Sequence, residues 1–237
     1  MEKDRSTLTV LLITALLAPF VSITALLSTV PVAGATTETV KLYPSDDSYI
    51  DNSSKDANFG SQNHIWIASY LEDPGLTIRM YLKFDLSSLP DGVRINSARL
   101  FLYCSKVTDP LAGASDLEIR EVLDDTWTES SITWNNQPAY GSLLDTKLVD
   151  TAGIWWDLDV TSFVQGEFTG DKVVSLLGKM IIENEYWDRH VVFSSKENDG
   201  YDPYLEVTYS TLVPAVIDID PDTLNLKSNG EWITAYI

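Results

Sequence analysis

The sequence predicts an all-β protein: a β-sandwich of jelly-roll type, with one or two short helices and a partial C-terminal β-hairpin. After residue 36 no long helical periodicity occurs, and short runs instead alternate apolar and polar side chains. Gly, Pro, Asn and Asp interrupt these runs every few residues. Without the apolar N-terminal segment about 200 residues remain, which is enough for the core of one sandwich or barrel.

Many short strands separated by turn residues are typical of a sandwich or jelly roll. Two-residue alternation also separates a core face from an outer face in each strand. The predicted strands are Thr39–Tyr43, Ser48–Asp51, His64–Tyr70, Ile78–Leu86, Ser97–Lys106, Asp116–Glu121, Thr146–Val149, Ile154–Asp159, Val174–Glu183, His190–Ser195 and Tyr204–Tyr209.

Two short helices are predicted between strands. The first opens within 126–129, with Thr126 or Thr128 as its cap. The second covers Val160 to Gln165, follows Asp159 and ends at Gly166.

The chain changes character after Pro214. Asn229-Gly230 predicts a tight turn, in which Leu224 and Leu226 face either Ile233 and Ala235 or Trp232 and Tyr236. A lone hairpin buries too little surface to be stable by itself. We therefore divide the chain into an N-terminal segment (1–35), a β-sandwich (36–211), and a linker or the start of a truncated second β-domain (212–237).

The N-terminal segment predicts export. Residues 8–30 are a predominantly apolar run without charges, and Ala-Gly-Ala at 33–35 is a small-residue cleavage pattern. A signal peptide would place the protein outside the cell or on its surface. A retained membrane anchor is the alternative, because the apolar run is long and its charged start is weak.

The formal net charge is -19, which disfavours nucleic acid and anionic membranes as partners. The segment 1–35 contains two acids and two bases, so removing it leaves the charge unchanged. Cys104 is the sole cysteine, which rules out an internal disulfide, and its alternation with Leu100 and Leu102 predicts a buried thiol.

No common catalytic motif is present: the sequence lacks a serine elbow, a phosphate loop and a zinc-binding helix motif. Asp157 and Asp159 would lie about 7 Å apart on one strand, near the spacing of inverting glycosidases. Solvated acids and a cap for the following helix explain them more simply. His64 and His190 are interpreted as strand residues and not as metal ligands. The sequence therefore predicts no enzyme.

Oxygen-bearing side chains cluster in the first strand region. Calcium takes six to eight oxygen ligands, and Asp46, Asp47 and Asp51 are candidates for them. The spacing does not match an EF-hand loop. An ordinary polar loop is the alternative.

Two strands carry cations and aromatic rings opposite their aliphatic face. On Ile78–Leu86 these outer residues are Arg79, Tyr81 and Lys83, and on the next strand they include Arg99 and Tyr103. If the strands pair, or lie on one sheet, the residues form one basic and aromatic patch that suits an acidic polysaccharide. A loop covering the face, with the arginines paired to acids, is the alternative. The aliphatic positions of the first strand predict a core row: Met80, Leu82, Phe84 and Leu86.

Five blocks, in order, resemble one family. They are DDSYIDNSSKDANFGSQNHIWI, RMYLKFDLSSLPDGVRINSARLFLY, LEIREVLDDTWTESSITWNNQPAYG, WWDLDVTSFVQGE and VVFSSKENDGYDPYLEVTY. The family is the DNRLRE, or disaggregatase-related, domain, also classed as carbohydrate-binding module family 96. Its Arg-x-Tyr-Leu-Arg/Lys-Phe-Asp block corresponds to Arg79–Asp85, and its Thr-Trp-Asn-Asn-Gln-Pro block to Thr133–Pro138.

The resemblance implies a jelly-roll sandwich on a secreted or cell-surface prokaryotic protein. It implies binding of a polysaccharide, often a uronic-acid polymer such as alginate, beside further surface-protein domains and without catalysis. The tail from Ile217 resembles domains of secreted archaeal proteins. Two alternatives remain: a structural surface-layer or adhesion domain without a sugar ligand, and a component of a polysaccharide hydrolase or lyase.

Overall fold

The computed structural model describes residues 35–70, 75–108, 115–183, 189–211, 216–220, 223–228 and 231–236. For residues 115–116, 189 and 216–236 it describes the backbone alone. The predicted N-terminal segment lies outside the described residues, apart from Ala35. Trp187 also lies outside them. Within them, no helix is long and apolar enough to cross a membrane.

Eleven strands form one curled sheet in which all the described pairings are antiparallel. In chain order they are β1 (Thr37–Leu42), β2 (Asp46–Asp51), β3 (His64–Tyr70), β4 (Leu76–Asp85), β5 (Val93–Thr108), β6 (Ser115–Val122), β7 (Tyr140–Val149), β8 (Ile154–Asp159), β9 (Val173–Met180), β10 (Arg189–Ser194) and β11 (Tyr204–Thr211). All eleven predicted strands are confirmed, with shifted ends.

The sheet folds over on itself into two layers. One layer contains β2, β4, β9, β6 and β7, and the other contains β1, β11, β5 and β8. Strands β3 and β10 pair with each other and continue into the two layers, since β3 also pairs with β4 and β10 with β5. The predicted jelly-roll-like β-sandwich is therefore confirmed.

The main core lies between the layers and follows the two-residue alternation of the strands. The predicted row Met80, Leu82, Phe84 and Leu86 is fully buried there. From the facing layer Leu100, Leu102 and Cys104 of β5 enter the same cluster. Since the core-facing side chains of β4 and β5 meet in one core, their outer side chains leave the sandwich on opposite faces.

Only one of the two predicted helices forms in the described residues. Helix α1 (Thr161–Thr169) continues through Gly166, contrary to the prediction, and ends at Gly170. It buries Phe163, Val164 and Phe168 against the core. This packing outweighs the local cost of a glycine inside a helix, which is about 1 kcal/mol. The other predicted helix is a series of turns, held by N–H donors of Ser131 and Ile132 to the Thr128 carbonyl.

The C-terminal residues form a second, three-stranded antiparallel sheet of β12 (Val216–Asp220), β13 (Thr223–Ser228) and β14 (Glu231–Tyr236). The predicted hairpin is confirmed as the pairing of β13 with β14, although Asn229 and Gly230 lie outside the described residues. Its register places Leu224 opposite Ala235 and Leu226 opposite Ile233, the first of the two predicted alternatives.

Candidate functional site

The connection between β6 and β7 lies over the outer face of β4. We call residues 123–139 the covering loop. Trp127 and Ile132 of this loop pack with Tyr81 in a small buried cluster outside the main core. The Tyr81 hydroxyl donates to the carbonyl of Pro138 at 3.1 Å, and its side chain is fully buried. Tyr81 thus offers no ring face to a ligand from solvent in this conformation.

Lys83 lies under the same loop. Its ammonium group donates to the carbonyl of Trp127 and lies 4.5 Å from the centroid of the Trp127 ring. The Asp46 carboxylate lies 3.8 Å away, and only 8% of the residue is exposed. Lys83 therefore satisfies groups inside the protein.

Arg79 lies at the edge of the covering loop. Its guanidinium donates two bonds of 2.8 Å to the carboxylate of Glu183 and one of 2.9 Å to Gln137. It also stacks on aromatic rings, 4.9 Å from the centroid of Trp134 and 5.3 Å from that of Tyr140. The sequence left two alternatives for this face of β4: a sugar-binding patch, or a face covered by a loop with its cations paired. The geometry favours the covered face.

The outer face of the other layer is different, because no loop among the described residues closes over it to a comparable extent. Phe101 of β5 stacks on Tyr204 of β11 with 4.7 Å between centroids, and Tyr103 lies 4.1 Å from Tyr201. Trp155 of β8 joins both pairs, 5.4 Å from Tyr103 and 5.2 Å from Tyr204.

These contacts define an aromatic surface of six rings. Tyr43 completes it, 6.5 Å from Tyr204. Tyr43, Tyr201 and Trp155 are 59%, 44% and 37% exposed. Its members are Tyr43, Phe101, Tyr103, Trp155, Tyr201 and Tyr204.

Charged side chains line one side of the aromatic surface. The strand registers place Lys41, Glu206, Arg99 and Asp159 in one row across β1, β11, β5 and β8. The exposed Lys41 ammonium lies 3.9 Å from the centroid of Tyr204. Arg99 donates from Nε to Asp157 at 2.6 Å, and its side chain is 38% exposed.

The five predicted sugar-binding residues do not form one patch. Arg99 and Tyr103 belong to the aromatic surface, whereas Arg79, Tyr81 and Lys83 lie on the opposite face of the sandwich. The two strands lie on one sheet, but they do not pair, and the folding of the sheet into two layers separates the five residues. β4 pairs with β2, β3 and β9, while β5 pairs with β8, β10 and β11.

Sequence reasoning missed five of the six rings as ligand candidates and named Tyr103 alone. Trp155 and Tyr204 occupy outer positions of β8 and β11, so alternation in those strands was a usable signal. Tyr43 ends the predicted strand Thr39–Tyr43 with the parity of Lys41, so alternation was a usable signal there too. Tyr201 precedes β11 and has no periodic signal. Phe101 lies between Arg99 and Tyr103 on the outer face of β5, so alternation was a usable signal there as well.

The acids of β2 are distributed among different partners. Asp46 accepts the backbone N–H of Glu129 at 3.0 Å, and Asp51 accepts that of Ser53 at 2.7 Å. Asp47 instead lies beside Glu129 and Glu197. Burial raises the pKa of Asp47 to about 7.

The acid pair of β8 has structural partners. Asp157 faces Arg99 and also Lys147, whose ammonium is 3.8 Å away. Asp159 accepts the N–H of Thr161 at 2.9 Å, at the start of α1. Asp159 therefore bonds the first helical N–H from one residue before the N-cap, which is Val160 and makes no side-chain cap bond.

An antiparallel sandwich with exposed, mutually packed aromatic rings on one outer face is the architecture of a carbohydrate-binding module. Residues 38–209 match the family model described as carbohydrate-binding module family 96, and the chain belongs to this family. The predicted resemblance is therefore confirmed. Modules of this class bind and do not catalyse.

A curated relative is a gellan lyase from Bacillus sp, which is 28% identical over 187 residues. The match covers 77% of this chain and 7% of the length of that relative. The similarity therefore concerns a small part of a much longer protein.

Proposed function

We propose that the chain is a non-catalytic module that binds an acidic, uronic-acid-containing polysaccharide through its aromatic surface. It would do so on a secreted or cell-surface protein of a prokaryote, with an archaeal source suggested by the resemblance of the tail. The observation that carries the proposal is the run of six packed rings, three of which are substantially exposed.

Aromatic rings bind sugars because the C–H groups of a pyranose face lie on the electron-rich face of the ring. Trp155, Tyr201 and Tyr204 are held by neighbouring rings and so lose little conformational freedom when a sugar binds. Several rings side by side can contact successive sugars of a polymer, which adds affinity through linked contacts.

Two cations supply the preference for acidic sugars. The Lys41 ammonium is exposed beside Tyr204, where it can pair with a uronate carboxylate. Arg99 has five N–H donors, and Asp157 faces only its Nε and one terminal nitrogen. Family membership and the relative named gellan lyase support a polysaccharide ligand.

Further domains are part of this proposal. The gellan lyase contains its similar segment within a much longer chain, and a binding module works by holding other domains at a polymer. We therefore propose that this module acts beside other surface-protein domains.

The test is retention of the full chain in native gels that contain alginate, gellan, a chondroitin-type polymer or a neutral polysaccharide. We expect retardation in acidic gels. Trp155→Ala and Tyr201→Ala should each weaken binding about tenfold or more, the size expected for loss of an aromatic anchor. Leu148→Ala is the matched control, since Leu148 is exposed on β7 away from these rings.

The outcomes separate the competing functions. Retardation in no gel would favour a structural or adhesion domain, and release of reducing ends or unsaturated products would favour an enzyme. Loss of binding in Tyr140→Ala, with Trp155→Ala unchanged, would move the site to the surface beside Arg79.

A further inference from the structure

Three carboxylates meet from segments that are far apart in the sequence. Asp47 lies on β2, Glu129 in the covering loop and Glu197 in the turn after β10. One oxygen from each lies within 4.8 Å of the others. Like charges this close repel, so the arrangement needs a compensating cation.

Asp47 provides the second observation. The residue is only 1% exposed, and its Oδ1 atom has no hydrogen-bond partner. Its Oδ2 accepts the backbone N–H of Lys196 at 2.8 Å. Buried carboxylate oxygens nearly always have a partner, so an open Oδ1 beside two further carboxylates points to a missing ligand.

Lys196 compensates the cluster only in part. Its ammonium lies 2.8 Å from Glu129 and 3.0 Å from Glu197, and these contacts raise its pKa. No ion pair between this ammonium and Asp47 occurs in the part of the chain described. One ammonium therefore faces three acids and leaves the most deeply buried one unpaired.

We propose that Asp47, Glu129 and Glu197 hold a calcium ion. Calcium–oxygen distances are 2.3–2.6 Å, so two oxygens on opposite sides of the ion lie up to about 5 Å apart, as wide as this cluster. The ligand set contains oxygen alone, which suits calcium and not zinc. Water molecules would complete the coordination.

The ion would join three parts of the fold. Through Glu129 it would fasten the covering loop to β2 and to the turn that follows β10. In this proposal Glu129 and Glu197 take the place of Asp46 and Asp51, the other two candidates from the sequence, and no local spacing could reveal them. This proposal does not depend on the sugar site, which lies on the other layer.

The experiment is calorimetric titration of the chelator-treated full chain with calcium chloride alone, paired with thermal unfolding. At calcium one hundred times its dissociation constant, we expect the unfolding midpoint to rise by about 5–10 °C. Glu197→Gln, at the most exposed ligand, should weaken calcium binding at least tenfold. Asp199→Asn removes a nearby exposed acid outside the cluster and should bind as the unaltered chain does.

A variant at Asp47 separates loss of calcium binding from a general loss of stability. Asp47→Asn keeps an oxygen for the Lys196 N–H but removes the buried charge. We expect it to unfold at the same temperature as the calcium-free chain or higher, and to lose the calcium response. The proposal would be overturned if the unaltered chain bound no calcium, or if it bound magnesium equally well. It would also be overturned if Glu197→Gln and Asp199→Asn lost calcium affinity equally, or if calcium still raised the unfolding midpoint of Asp47→Asn.

Discussion

The ammonium of Lys83 on β4 donates to the main-chain carbonyl of Trp127 in the covering loop and lies over the ring of the same tryptophan. Two segments that are 44 positions apart in the sequence are thereby joined. The outer face of β4 is thus an internal surface. The Arg-x-Tyr-Leu-Lys-Phe-Asp block of β4 holds the covering loop in place.

Lys83→Met is expected to destabilise the fold. Methionine keeps most of the apolar stem but leaves the Trp127 carbonyl without its donor, so the free energy of unfolding should fall by about 1–3 kcal/mol. Urea unfolding measures this change. Lys106→Met, at an exposed position of β5, is the control and should alter stability by less than about 0.5 kcal/mol.

Retention on acidic polysaccharide tests the competing role of Lys83. Folded Lys83→Met should bind as the unaltered chain does, because Lys83 is on the layer opposite the aromatic surface. Weaker retention together with unchanged stability would instead make Lys83 a ligand residue, as the sequence alone predicted.

A small residue is required on β9 at the position paired with Met80 of β4. Gly178 lies opposite Met80 of β4 and Ile119 of β6, and a Cβ built there would be 2.2 Å from the Met80 methyl carbon. We expect Gly178→Ala to lower the free energy of unfolding by about 1–3 kcal/mol through overpacking. A double variant with Met80→Val should recover part of the loss in thermal unfolding. Equal costs in single and double variants would show that the two positions are uncoupled.

The buried thiol gives a chemical probe of unfolding. Cys104 is fully buried, and burial raises the pKa of its thiol to about 11. At pH 8 about one thiol in a thousand is therefore ionised, and the protein shields it from reagents. A disulfide reagent should leave the native chain unmodified for hours and react within minutes in denaturant. Rapid labelling of the native chain would contradict this burial.

The strands were predictable because alternation is a local property. The parity of Met80, Leu82 and Phe84, and that of Leu100, Leu102 and Cys104, follows from the two-residue repeat and is what the core uses. Local sequence does not specify which strands pair. β4 and β5 follow one another yet lie in different layers, because β9 and β11 return to pair with them from much later in the chain.

Alternation also fails to say what lies against an outer face. Arg79, Tyr81 and Lys83 and their counterparts on β5 have the same pattern, yet a loop covers one row and leaves the other accessible. The difference comes from Trp127 and Ile132, in a segment for which the sequence predicted only a short helix and gave no sign of the strand it would cover. The aromatic surface combines β5, β8 and β11, whose pairing local sequence does not specify, so the pattern of β5 considered by itself gave only Arg99 and Tyr103.

Glu118 on β6 predicts an acid-dependent loss of stability. It is buried between Arg120 and Lys179, with carboxylate contacts of 2.7 and 2.8 Å. Burial by itself would raise its pKa, but the hydrogen bonds from the two cations outweigh burial and hold the pKa below the ordinary value of 4.5. The folded state therefore holds this carboxylate ionised more firmly than the unfolded state does.

The sign of the pH effect follows from that difference. A carboxyl whose pKa is lowered by folding stabilises the protein above its unfolded pKa, and this stabilisation disappears as the pH falls through the folded pKa. Glu118→Gln, which leaves two cations without their acid, should cost about 3 kcal/mol at pH 7. In urea unfolding at pH 7, 5 and 3, the gap between the two proteins should narrow at the lowest pH. Asp199→Asn should show no such convergence, and a constant gap for Glu118→Gln would mean that its carboxylate is not what the two cations stabilise.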